Sequence, residues 1–447
     1  MPRSDAAARR TLLARGILRV FRASVLDPST LEVVLDENGD ADAKRRRDPA
    51  HASAPPRAVI HGPDGLAHLL PPSSDRFADA FLRRDVDVEG EVVAAITAAD
   101  AVDLRRLRPA DARRLLRWGL ELRHGAAPPR PLQRVASQRG RRHSRARDMA
   151  TIRFHYDVGE AFYALWLDTR LTYSSAYFPD GTTPAEAAAR LDEAQEAKLD
   201  LIARKLRVGA GQRLLDIGSG WGSLVNYVAE MYGVQAVGIT LSERQADEAN
   251  ARARDAGITH LAHCEVRDYR DLDALGVFDV AASVGMFEHV GRANLPRYFE
   301  AASRALKPGG LFLNHGIAAI RHLGPRWRRG GPASPGRFVD RYVFPDGELV
   351  PVDEAIAVAR RAGFEVIDVQ SLRPHYALTL AAWVARLEER WDEAVAAAGD
   401  EVARTWRLYM SAARLGFESG DLGVFQMLMA KPQGRGTPAS RPLRPWW

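Results

Sequence analysis

The rhythm of apolar and polar positions changes near residue 150. From Thr151 onward, short apolar runs alternate with helix-length amphipathic stretches, the pattern of a parallel sheet covered by helices on both faces. Thr183-Pro184-Ala185-Glu186 reads as a capping box with Pro at the first helical position, and predicts a helix to about Leu206. Strands are predicted at Arg213 to Ile217, Val234 to Ile239, Leu261 to Val266 and Phe278 to Val284. Three more are predicted from Leu311, after the turn Lys307-Pro308-Gly309-Gly310, and at Phe364 to Val369 and Gly423 to Met429. The helix behind the first strand starts near Trp221 and stops at Gly233, and Ser242 to Gln245 predicts a second capping box.

Before Thr151 the pattern is different. Residues 10 to 22 place Leu13, Ile17, Val20 and Phe21 on one helical side with Arg10, Arg15 and Arg22 elsewhere; a membrane-surface helix and a core helix with a polar back account for this equally well. Leu31 to Asp103 mixes strand-like runs with breaks at Ala54-Pro55-Pro56 and Pro71-Pro72, as in a small mixed α+β domain. Arg123 to Pro131 and the Arg-, Ser- and Gln-rich stretch up to Asp148 read as a linker and a basic arm. The expected division is therefore an N-terminal domain over 1–128, a basic linker over 129–150, a catalytic domain over 151–431 and a disordered tail over 432–447.

With 447 residues, 46% of them hydrophobic, the chain can bury two moderate cores. The one cysteine, Cys264, rules out an internal disulfide framework and a Cys-rich zinc site, so no metal is expected and a reducing cytoplasm fits. Its expected place is a strand in the core. No apolar run approaches the ~20 residues of a spanning helix, and no signal-peptide pattern opens the chain. The net charge of +6 is modest but gathered at Lys44 to Arg47, Arg139 to Arg147 and Arg326 to Arg329. Such clusters suit anionic surfaces, lipid headgroups or nucleic acid; solvated arginines explain them as readily.

The first strand runs into Asp216-Ile217-Gly218-Ser219-Gly220-Trp221-Gly222. A glycine turn at a helix N-terminus lets a ligand approach the backbone. Glycines at every second position depart from the G-x-G-x-x-G spacing of dinucleotide sites. Asp216 can accept hydrogen bonds from a cationic amine, so an adenosine with a positively charged amino-acid tail, S-adenosylmethionine, fits better. Ligands of open α/β sheets bind at the carboxyl ends of strands, which makes each strand end a candidate. The second lacks the carboxylate that commonly holds ribose hydroxyls, leaving Thr240 and Gln245 to bind them or merely to cap a helix. The third ends in Arg267-Asp268-Tyr269, where a carboxylate and a ring could meet adenine. The fourth carries Glu288 and the fifth His315, a pair suited to general-base work or to holding an anion, although each alone is as readily structural. Two aromatic segments, Phe154 to Asp157 and Leu171 to Phe178, precede the strands and are expected to fold over the site as a lid.

These segments together resemble the cyclopropane fatty acid synthase family, with its mycolic acid and methyl-branched relatives, over roughly residues 150 to 431; the N-terminal domain resembles that of its two-domain, phospholipid-acting members. The matching text is His155-Tyr156-Asp157, Thr172 to Phe178, Leu214 to Gly222, Gly238 to Ser242, Glu288-His289-Val290-Gly291, Phe338 to Pro345 and His375-Tyr376. The resemblance implies a class I S-adenosylmethionine-dependent methyltransferase with a Rossmann-like seven-stranded sheet. It implies that Tyr173, Ser174, Leu214, Asp216, Gly218, Gly220, Gly222, Thr240, Leu241, Gln245, Asp268 and Tyr269 hold the cofactor. It also implies a bicarbonate ion held at Ser175, Glu288, His315, Ile317 and Tyr376, with Ser175 standing where the family commonly has Cys. The implied substrate is an unsaturated acyl chain of a membrane phospholipid, reached by peripheral association with the inner face of the membrane. The product is a cyclopropane ring or a methyl(ene) branch, which a separate reductase could saturate; Ser175 tilts slightly toward the branch. The resemblance leaves room for a homodimer. A nucleic-acid methyltransferase is the second reading, against which no Asn/Asp-Pro-Pro-aromatic segment follows the fourth strand, and a non-catalytic lipid-binding protein is the third.

Overall fold

The computed structural model describes residues 2–37, 55–136, 140–156, 158–320 and 336–434. Lys44 to Arg47, Arg139, Asp157, Arg326 to Arg329 and the tail from residue 435 lie outside the described residues. The chain forms two compact units: Met1–Val135 with Leu323–Val343 and Trp391–Leu415, and Ala136–His322 with Phe344–Arg390 and Gly416–Trp447.

The smaller unit is built on three strands, β1 (Glu32–Asp36), β2 (Arg57–His61) and β3 (Val86–Glu89). β1 and β2 are parallel, β2 and β3 antiparallel. Helix Pro2–Ser24 buries Ala14, Ile17 and Leu18, and a Cβ on Gly16 would come within 3.0 Å of Trp118 on helix Pro109–His124. The apolar side of the first helix is thus consumed by its own core and is not free for a membrane. Segment Trp391–Leu415, expected in the catalytic domain, belongs to this unit. On helix Asp400–Ser419 the buried Arg404 ion-pairs with Asp87 at 2.6 Å and donates to the carbonyls of Phe81 and Val86. Arg407 donates to those of Val88 and Gly90. The edge strand β3 therefore has its outward carbonyls satisfied by guanidinium groups, which blunts it against further pairing.

The larger unit holds seven strands: β4 (Arg213–Ile217), β5 (Gln235–Thr240), β6 (Ala262–Val266), β7 (Phe278–Val284), β8 (Leu306–Ala319), β9 (Glu365–Ser371) and β10 (Leu422–Ala430). Their order is β6-β5-β4-β7-β8-β10-β9, with β10 antiparallel to both neighbours and the pairs from β6 to β8 parallel. Alternate residues feed two cores. Leu214, Ala236, Val280 and Leu313 pack on one face; Leu215, Ile217, Ile239 and Phe312 pack on the other. Strands buried on both faces read as the nearly unbroken apolar runs seen in the sequence. Cys264 is buried on β6 as expected.

Three local expectations need correction. The helix expected from Pro184 to Leu206 is broken into Pro184–Ala187 and Leu191–Leu206, because Arg386 donates two hydrogen bonds to the carbonyl of Ala188 and takes it out of the helical ladder. β8 begins at Leu306, before the glycine pair, and absorbs that turn as a register shift opposite β7. At Ser242 only half of the second capping box forms: Ser242 Oγ accepts from Gln245 N, while the Gln245 side chain bonds Thr240 instead. No helix among the described residues is long and apolar enough to cross a membrane.

Candidate active site

A cleft with about 910 Å³ of empty space, open solvent included, lies at the carboxyl ends of β4, β5 and β7 within the larger unit. Its floor is the glycine turn. Gly218 (φ +88°), Gly220 (φ +52°) and Gly222 (φ +79°) all adopt left-handed conformations. The Gly218 and Ser219 amides both donate to Ile239 O at 2.9 Å, which ties the turn to β5. A Cβ on Gly218 would meet the Met286 side chain at 2.7 Å, and one on Gly222 would meet Ala249 at 2.6 Å; at Gly220 nothing lies within 4 Å, so there the backbone faces open space.

Asp216, at the end of β4, is buried and its Oδ1 has no hydrogen-bond partner. Burial pushes its carboxyl up to about 7, against the opposing pull of the Lys198 ammonium. Lys198 is itself buried in helix Leu191–Leu206, donates to Ser174 Oγ at 3.0 Å, and is lowered to about 8 by desolvation. Both line the cleft together with Tyr173, Ser174, Gly218, Gly220, Thr240, Leu241, Gln245 and Tyr269. Gln245 Nε2 and the Tyr269 hydroxyl are also buried without partners. An acceptor beside a cation, an amide donor and a phenol, all unsatisfied around one cleft, fit a zwitterionic amino acid joined to an adenosine.

From the aromatic segments, Tyr156 and Leu171 to Ser174 line this cleft as part of its wall. His155 stacks on Tyr173 at 5.5 Å, Tyr156 meets Trp221 edge-on at 5.5 Å, and Tyr173 lies 5.2 Å from Trp383.

Ser175, Glu288, His315 and Tyr376 are buried and Ile317 is half-buried, and none of the five is on the cleft's wall. Glu288 sits in the short helix Phe287–Val290 that follows β7, and its Oε1 accepts from Ile317 N on β8 at 2.5 Å. Oε2 is buried without a partner, and burial pushes the carboxyl up to about 7. Two residues earlier on the same face of β8, His315 Nδ1 lies 3.3 Å from Gln426 Nε2, while His315 Nε2 has no partner. With Gln426 donating to Nδ1, the imidazole proton sits on Nε2; burial and the nearby Lys198 and Lys205 hold this ring neutral, well below the ordinary histidine range. Tyr376 is one turn before Thr379, whose hydroxyl accepts from Ala176 N at 3.0 Å, so helix Arg373–Glu389 is fastened to the Ser175-Ala176 segment.

Three expected cofactor residues fall elsewhere. Leu214 is fully buried in the core on β4, and Gly222 closes on Ala249, away from the cleft. Asp268 lines a smaller neighbouring cavity, with its carboxylate tied to Arg270 N and Nη1 because it caps the 3-10 turn Tyr269–Leu275. Lys198, Gln195 and Gln426 were not anticipated. Gln195 donates to the carbonyls of Thr172 and Ser174 and shapes the segment that carries Tyr173. A signal for two of them was present: Gln195 and Lys198 fall in the stripe Leu191, Ala194, Leu199, Ile202, where polar residues need a reason.

A seven-stranded sheet with one reversed strand, and a cleft floored by the glycine turn after β4, define a class I S-adenosylmethionine-dependent methyltransferase. Residues 143–427 match the family model described as mycolic acid cyclopropane synthetase. A probable fatty acid methyltransferase of Pseudomonas putida is 38% identical over 380 residues, covering 85% of this chain and 88% of its own. The cyclopropane-fatty-acyl-phospholipid synthase of Escherichia coli K12 is 34% identical over 64% of this chain and 69% of its own. A crystal structure of a mycolic acid cyclopropane synthase complexed with SAH and CTAB superposes with a TM-score of 0.58 at 34% identity, covering 63% of this chain and 98% of that one. The chain belongs to the mycolic acid cyclopropane synthetase family.

Proposed function

We propose that this methyltransferase adds one carbon to the double bond of an unsaturated acyl chain of a membrane phospholipid, leaving a cyclopropane ring or a methyl(ene) branch. The observation that carries the reading is the pair of buried, unsatisfied polar atoms, Glu288 Oε2 and His315 Nε2, held on adjoining strand ends next to a cofactor-sized cleft. S-adenosylmethionine supplies an electrophilic methyl group on a sulfonium. The chain's residues meet the remaining demands. An isolated alkene is a weak nucleophile, so the aromatic wall has to align it and exclude water. Positive charge then develops on an acyl carbon, and the ring faces of Tyr376 and Tyr177 are assigned to stabilise it. A proton must finally leave the new methyl, either directly, closing a ring, or after a hydride shift along the chain has moved the cation to the methylated carbon, leaving a methylene.

Bicarbonate, which when bound would supply a small base, is assigned to the unpartnered Glu288 Oε2 and His315 Nε2. Glu288 keeps its proton below about pH 7 and can donate it; neutral His315 offers its Nε2 proton. Ser175, whose hydroxyl otherwise donates to Ala176 O, and Tyr376 are assigned as further hydroxyls, and Ile317 N holds Glu288 Oε1. A methylene product would need a separate reductase to saturate it. The nucleic-acid and non-catalytic readings draw no support from these relatives.

Expression in a host that makes unsaturated fatty acids, followed by mass spectrometry of the phospholipids, tests the reading. A gain of one methylene unit per modified chain is expected, and proton spectra separate ring from branch. Unchanged acyl chains would sink it.

A further inference from the structure

We propose that Gln426 is a positioning residue for methyl transfer, holding the His315 ring so that its single proton stands on Nε2 and is offered to an anion beside Glu288. The inference rests on the reading given above, in which that anion takes part in the reaction. In the antiparallel pairing of β8 and β10, His315 lies directly opposite Gln426, and in that of β10 and β9, Gln426 lies opposite Gln370. Residues opposite one another leave the same face of a sheet, so the three form one polar row across three strands. Lys205, buried on helix Leu191–Leu206, closes the row by donating to Gln370 Oε1. Around the row the face is apolar: Leu313 and Leu428, two positions along from His315 and Gln426, belong to the core beneath the same helix.

Gln426 is fully buried, and a glutamine in that setting is costly unless its amide is used. Its Nε2 lies 3.3 Å from His315 Nδ1, while its Oε1 has no partner. The contact the amide makes is thus with the ring. An NH2 group can only donate, so Nδ1 must accept and cannot carry the proton. Burial and the ammonium groups of Lys198 and Lys205 keep a second proton off the imidazole. One proton, with one nitrogen closed to it, leaves Nε2 as the donor. Were the amide oxygen to face Nδ1 instead, the ring would present a lone pair to the anion and repel it. Filling the core is the competing account of Gln426, and on that account an apolar residue of the same length would serve as well.

The test is the nitrogen NMR spectrum of full-length, histidine-labelled protein, in which the His315 signals are those lost in His315→Asn, read beside turnover. The wild type is expected to show a protonated Nε2 and a bare Nδ1; the opposite tautomer overturns the proposal. In Gln426→Glu a carboxylate accepts from Nδ1, so the proton should move off Nε2. Its kcat should fall by about a hundredfold, the scale of losing one preorganised donor, with KM for S-adenosylmethionine unchanged. Gln426→Met offers no donor, and should give a mixture of tautomers and a smaller loss of about fivefold. Calorimetric binding of S-adenosylhomocysteine, unchanged in both variants, reports an intact fold, and Gln426→Met supplies the answer if the buried carboxylate prevents folding. Turnover that falls while Nε2 keeps its proton marks a merely structural glutamine and overturns the proposal, as does an inverted ring with turnover like the wild type. A wild type that leaves unsaturated phospholipid unmodified sinks the reading above whatever the spectrum shows; a wild type that methylates it, beside variants of unaltered turnover, sinks the role of Gln426 alone.

Discussion

At Glu288, burial and function pull in opposite directions. The carboxyl is raised from 4.5 to about 7 because its ionised form is desolvated. The folded state therefore holds a proton that the unfolded chain has released between these two values, and stability falls as pH climbs from about 4.5 through 7, then levels off. Glu288→Gln keeps an oxygen for Ile317 N and removes this penalty. Urea denaturation should show the variant more stable than wild type by about 3 kcal/mol at pH 8 and nearly equal at pH 4. The same variant should lose most methyl transfer while binding S-adenosylhomocysteine normally by calorimetry; near-normal turnover would misplace the anion pocket. Asp216 is subject to the same physics, moderated by Lys198. Affinity for S-adenosylhomocysteine should rise as Asp216 ionises near pH 7. Lys198→Met should lower that affinity roughly tenfold and move the midpoint higher, since one nearby positive charge is worth about 1 kcal/mol or more at such a site. A pH profile unchanged from wild type would show that Lys198 serves only to hold Ser174.

Among the elements, the glycine turn is the one whose three positions can be ranked. All three pay for a left-handed backbone if a side chain is added, roughly 1–2 kcal/mol. Gly218 and Gly222 would in addition drive a Cβ into Met286 and Ala249, whereas Gly220 has open space. Thermal unfolding should therefore place Gly220→Ala nearest wild type and Gly218→Ala and Gly222→Ala well below it. Gly220→Ala should nonetheless weaken cofactor binding, because its methyl group would stand in the cleft; equal losses of stability at all three positions would contradict the geometry. This element was legible from the sequence because its signal is local: a buried strand, three glycines and a helix start within a dozen residues. The helix expected from Pro184 to Leu206 was less so, because its break depends on Arg386, nearly two hundred residues away.

On the scale of the whole molecule, the chain returns to the smaller unit after most of the larger one is complete. Arg404, Trp406 and Met410 are buried within the smaller unit, with Arg404 serving the carbonyls of Phe81 and Val86. A chain cut to residues 129–447 would retain these side chains and lose their partners, uncovering a buried cation and apolar surface. It should be recovered as aggregate, whereas the full chain stays monodisperse in size-exclusion chromatography; a soluble, well-folded truncation would show that the larger unit is separable at the linker.

All seven strands in the larger sheet, the cofactor turn and the family resemblance followed from the sequence itself, since apolar period and glycine spacing are set by neighbours along the chain. The alternatives for the first helix could not be resolved that way, because a periodic apolar stripe does not say what will cover it; packing against Trp118 decided that it faces the core. Lys198 beside Asp216, Gln426 behind His315 and Ile317 N on Glu288 likewise came only with the tertiary structure. Their effects depend on distance and burial between residues far apart in the chain, and these are properties of the folded molecule.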